Sequence, residues 1–68
     1  MEHHPDDLYT TEEVAARYRK DPGTVRYWRH KGTGPKGTLF GRRVLYRWSD
    51  LLAWEKDVED ADPIRRSA

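Results

Sequence analysis

At 68 residues the chain holds one domain at most, near the size where a single core barely outweighs chain entropy. It has no cysteine, which excludes a disulfide framework and a thiolate metal site, so three Trp, four Tyr and one Phe must carry the core. The net charge of +1 hides a pattern: residues 17–47 hold ten basic side chains against Asp21 alone, a net of +9, while the flanks sum to −8. A basic middle between acidic ends is an electrostatic footprint for a polyanion, with ends that limit non-specific adhesion.

Residues 1–7 are polar, without apolar period, and are expected to be a disordered lead-in. Adjacent His3 and His4 lack a third ligand at useful spacing, so no metal and no cofactor is expected. Thr10-Thr11-Glu12-Glu13 fits a capping box, with Thr10 as N-cap and Glu13 reaching back, and Tyr9 with Val14 would staple the helix start. Val14, Ala15 and Tyr18 line one face of this first helix. It should stop near Arg19 or Lys20, because Pro22 pushes Asp21 towards an extended conformation.

Asp21 then caps a second helix, Pro22 is its first residue, and Gly32 follows its last turn. Val25 and Trp28 fall three apart on a core-facing stripe, leaving Thr24, Arg26, Tyr27, Arg29, His30 and Lys31 on the other faces. Such a helix is suited to a DNA major groove. Residues 33–37 are too rich in Gly and Pro for a regular element. Two short strands, 38–40 and 44–46, should flank a turn at Gly41-Arg42-Arg43. That turn would set Phe40 opposite Val44, and Leu39 opposite Leu45 as an exposed outward pair. Ser49 is the expected N-cap of a last helix carrying Leu51 and Trp54, and an acidic, flexible tail runs over 57–68.

Two helices joined by a tight turn, then a hairpin, then a helix give a mainly α fold with a small β-hairpin, the order of a winged helix-turn-helix over residues 8–56. The expected core is Val14, Ala15, Tyr18, Val25, Trp28, Phe40, Val44, Tyr46, Leu51 and Trp54. No run approaches the roughly 18 apolar residues of a membrane span, and no signal peptide is evident, so a cytoplasmic location and no membrane partner are expected. Catalysis has little to stand on: the serines are Ser49 and Ser67, and no phosphate loop or paired carboxylates in an apolar pocket can be found. The chain is not expected to be an enzyme.

Leu8-Tyr-Thr-Thr-Glu-Glu-Val-Ala-Ala16, Thr24-Val-Arg-Tyr-Trp28, Gly41-Arg-Arg-Val-Leu-Tyr46 and Ser49-Asp-Leu-Leu-Ala-Trp54 together resemble the small MerR-like helix-turn-helix proteins. Within that superfamily the chain is similar in size to excisionases, the recombination directionality factors of actinobacterial phages and mobile elements. The resemblance implies that Thr24, Arg26, Tyr27, Arg29 and His30 face DNA from the recognition helix, and that Arg42 and Arg43 form the wing tip at the minor groove. Arginine suits both tasks, as a bidentate reader of guanine and a weakly hydrated cation in a narrow groove. Arg17, Arg19, Lys20, Lys31 and Lys36 are candidate phosphate contacts. Leu39 and Leu45 are candidates for contact between copies on tandem sites.

By the same resemblance, about fourteen residues after Trp54 are too few for the dimerising helix of MerR-type activators, so no small-molecule effector is expected. The leading expectation is an architectural protein that binds adjacent duplex sites cooperatively, bends them, and turns a tyrosine or serine integrase towards excision. The alternatives are a small transcription regulator with the same domain and a protein-interaction adaptor without a specific DNA site.

Overall fold

The computed structural model describes residues 3–62, and the basic end of the tail, Arg65-Arg66, lies outside the described residues. Among the described residues the elements run β1 (Leu8–Thr10), α1 (Thr11–Tyr18), α2 (Pro22–Lys31), β2 (Thr38–Phe40), β3 (Arg43–Arg47) and α3 (Trp48–Ala61). The strands form one antiparallel sheet in the order β1-β3-β2. This is a winged helix-turn-helix arrangement. Among the described residues no helix is long and apolar enough to cross a membrane.

Local chemistry sets the two helices at the centre. The Thr10 hydroxyl accepts from the Glu13 amide at 3.1 Å, and the Glu13 carboxylate accepts from the Thr10 amide at 2.8 Å, so the capping box is complete. α1 ends with Arg19 in the left-handed region (φ 57°), and the Lys20 amide reaches back to the Ala15 carbonyl. The Asp21 carboxylate then accepts from the Gly23 amide at 2.8 Å, Pro22 opens α2, and left-handed Gly32 (φ 73°) closes it. Val14, Ala15, Val25, Tyr46 and Leu51 are buried, with Tyr9, Tyr18, Trp28, Val44 and Trp48 packed against them. Trp54 belongs to a second cluster, its ring 5.2 Å from both Tyr18 and Trp28, and its indole N–H donates to the Thr33 carbonyl at 2.9 Å.

The hairpin departs from the expected register. It turns in two residues, Gly41-Arg42, and pairs Phe40 with Arg43, Leu39 with Val44 and Thr38 with Leu45. Gly41 takes a positive φ of 64° at the first turn position, a conformation that closes a two-residue hairpin and that glycine adopts at little cost. One residue fewer in the turn slides β2 by one place against β3 and moves each of its side chains to the other face. Leu39 therefore lies on the face shared with Val44 and Tyr46, whereas Leu45 lies on the opposite face, and the expected Leu39–Leu45 pair does not form. Phe40 likewise leaves the core: it is 37% exposed, on the outer face with the Arg47 guanidinium 5.8 Å from its ring.

The start of the chain is the other departure. β1 pairs Tyr9 with Tyr46 and Leu8 with Arg47, adding a third strand to the wing. Residues 3–7 form a turn, where disorder is the expectation from sequence. The Asp7 amide donates to the His4 carbonyl, and the His3 ring stacks 4.2 Å from that of Trp48. Ser49 is not the cap of α3. Arg47 holds that position without a side-chain cap bond, and carbonyls from the lead-in serve instead: Asp7 accepts from Trp48 at 2.9 Å and Pro5 from Ser49 at 3.1 Å. The orphan amides of a helix start need acceptors, and here the backbone of a distant segment supplies two. α3 also runs through 57–61, where the expectation from sequence is a flexible tail.

Candidate nucleic-acid interface

Arg26 and Arg29, three residues apart on α2, share a helix face. The hairpin brings Arg42 and Arg43 towards that face. All four line one groove, together with Thr10, Thr11 and Glu12 at the start of α1, and with Val44 and Tyr46. Tyr46 is the floor. Its ring is buried, and burial raises its phenol pKa, partly offset by the charge of Arg29, a Thr11 hydrogen bond and the charge of Arg26.

Four guanidinium groups around one concave strip make a strongly positive site with many donors, the chemistry that holds phosphates and base edges. They are exposed and nearly uncommitted. Within the groove one ion pair joins the Arg26 Nη2 donor to Glu12 Oε2 at 3.0 Å, with both side chains 62% exposed. Glu12 is absent from the residues expected from sequence. Its signal is positional: the second residue of the first helix in a tight helix-turn-helix lies beside the first half of the second helix.

Other expected residues are spread around the groove. Tyr27 is 58% exposed, with the Lys31 ammonium 5.8 Å from its ring, so it offers its hydroxyl outward. His30 and Lys31 are exposed at the end of α2, and Lys36, in the loop that follows, lines a shallow hollow with Arg29. Thr24 is half-buried in the first turn of α2. The Asp21 carboxylate already occupies that helix start, which weakens it as a phosphate site.

Arg17 is different. Its Nε and Nη2 donate to the two carboxylate oxygens of Glu55 at 2.6 and 2.9 Å, and the Tyr18 hydroxyl donates to the same carboxylate at 2.7 Å. The guanidinium also lies 4.5 Å from the Trp48 ring centre. Paired with Arg17, the Glu55 carboxyl is held below the usual carboxylate range, while burial and the neighbouring Glu55 push the Tyr18 phenol up. Arg17 and Lys20 line a separate cleft with Tyr18, Trp28 and Trp54, away from the four-arginine groove. Arg17 is thus a tie between α1 and α3, and its expected role as a phosphate contact is dropped. Arg19 stays exposed at the turn. Among the described residues no group of three or more His, Asp or Glu side chains is placed to hold a metal ion.

A tight helix-turn-helix, a short wing and a basic groove between them define the class: a winged helix-turn-helix domain that binds DNA. A family model described as a helix-turn-helix domain matches residues 8–57, most of the chain. The chain therefore belongs to that family of DNA-binding domains, which includes excisionase-like proteins. Comparison with curated proteins and with solved structures returned no match.

Proposed function

We propose that this protein is an architectural DNA-binding factor of the excisionase kind, which binds adjacent duplex sites cooperatively and bends them to favour excision by an integrase. The observation that carries the DNA-contacting half of this reading is the groove in which Arg26 and Arg29 of α2 meet Arg42 and Arg43 of the wing. α2 lies in the major groove, where Arg26 and Arg29 read base edges, and the wing tip reaches the neighbouring minor groove. Tyr27, His30, Lys31, Lys36 and Arg19 contribute phosphate contacts around this centre. A single short reading helix favours use of neighbouring copies for selectivity. The outer sheet face, with exposed Leu8 and half-buried Leu45, is our candidate for their contact.

The test is duplex binding as a function of salt, with a site enriched by the protein from a random duplex pool. Affinity should fall steeply as salt rises, since each phosphate contact releases a counterion. Tandem sites should fill cooperatively, and circularly permuted fragments should migrate according to where the site lies. Duplex binding without cooperativity or bending would leave a single-site regulator as the better reading. Absence of salt-dependent duplex binding would refute the role altogether.

A further inference from the structure

We infer that Glu12 is a specificity-determining residue of this domain, acting through Arg26; the inference rests on the DNA-binding reading above. Glu12 stands in the first turn of α1 and is the acidic side chain lining a groove otherwise dominated by Arg26, Arg29, Arg42 and Arg43. Its Oε2 holds the Arg26 Nη2 group at 3.0 Å, across fourteen residues of sequence. An ion pair 62% exposed on both sides contributes little to folding. Stability is therefore a poor reason for a carboxylate at this place.

Electrostatics gives a better one. A carboxylate beside a duplex raises the energy of every nearby phosphate, whatever the sequence, and so weakens binding to matching and non-matching duplexes alike. The same carboxylate restricts the long Arg26 side chain to one side of the groove, so that less rotamer freedom is lost when its remaining donors meet a base edge. The repulsion lowers affinity for every duplex, and the ordering of Arg26 returns part of that loss only where a base edge accepts its donors, which widens the gap between a matching and a non-matching duplex. The pair is weak enough to yield where Arg26 finds a better acceptor. Glu12 is a positioning residue in this account and reads no base itself.

The experiment is a double-mutant cycle on the full chain, with Glu12→Gln, Arg26→Ala and both together. Each is titrated against the duplex enriched by the unaltered protein and against a shuffled duplex of the same composition. Glu12→Gln should tighten binding to the shuffled duplex and lower the matched-to-shuffled ratio by about two- to fivefold, within the worth of one exposed ion pair and below that of a whole base contact. In the Arg26→Ala background Glu12→Gln should leave that ratio unchanged. Melting temperature should move little in all three, which separates the effect from misfolding. An unchanged ratio on Glu12→Gln alone overturns the proposal. So does an equal loss with and without Arg26, which would make Glu12 a direct reader, for instance of a cytosine amine. If the unaltered protein binds no duplex, the proposed function fails first; an enriched site with an insensitive Glu12 sinks the inference alone.

Discussion

Arg17 and Arg26 are nine residues apart in sequence, and each is paired with a glutamate, yet they belong to different machinery. Arg17 grips Glu55 with two donors, shares it with Tyr18, and lies against Trp48. Arg26 touches Glu12 through one donor, in the open. A bidentate pair among aromatics is partly desolvated and holds two helices together; a single exposed contact is screened and exchangeable. In a chain with this many basic residues, charge alone therefore does not say which cations meet DNA. What decides is the company that each one keeps.

That contrast can be broken experimentally, and the largest effect should come from the groove. Arg29→Ala or Arg26→Ala should weaken binding to the matched duplex by about 1–3 kcal/mol, roughly fivefold to 150-fold, with reduced preference among sequences. Their melting temperatures should stay within a few degrees of the unaltered chain. Uniform loss on matched and shuffled duplexes alike would mean that α2 is not the reading element. The reverse pattern is expected for Arg17→Ala or Glu55→Gln. These should cost about 1–2 kcal/mol of stability, a drop of roughly 4–15 °C in a domain of this size, and leave duplex affinity of the folded protein nearly unchanged. A large affinity loss for Arg17→Ala at a temperature where it is folded would restore it to the DNA-contacting set.

The pH dependence sharpens the same comparison. Glu55 titrates below its unfolded value, so its contribution to stability is fully present above the ordinary carboxylate range and is lost as pH falls through its lowered folded pKa. Melting temperature followed into acid should fall less steeply for Glu55→Gln than for the unaltered chain. An identical slope would show that the Arg17–Glu55 tie contributes nothing in solution. The smallest effect is expected at the wing: Arg42→Ala should weaken binding severalfold, with less loss of discrimination than Arg26→Ala, because a minor-groove cation reads shape more than base identity.

How much of this was legible from residues follows from how local each determinant is. The capping box at Thr10 and Glu13, the Asp21-Pro22 start and the Gly32 stop are all decided within one helical turn, and all stand where the sequence puts them. The wing is harder, since strands 38–40 and 43–47 can be recognised while their register hangs on whether the turn has two residues or three. Gly41 settled that, and it moved Leu39 and Phe40 to opposite faces from those expected. β1 is not legible in the sequence, because three residues carry no period and its pairing comes from β3. The start of α3 is hidden for the same reason, its cap being supplied from more than forty residues away. In the site, Arg26, Arg29, Arg42 and Arg43 can be found from charge and helix phase; Glu12 has only a positional signal, because its meaning depends on the crossing of two helices.

The carbonyls of Pro5 and Asp7 on the first amides of α3 carry a practical warning for anyone preparing this protein. Trimming to a tidy domain that starts at Leu8 would remove both acceptors and unpin the edge of β1, although no residue of the groove would be touched. Such a trimmed protein should melt earlier by several degrees, with two uncapped amides costing about 0.5–2 kcal/mol. A bulky tag fused close to Pro5 would act in the same direction. Handles for purification or labelling belong at the other end, beyond Ala61.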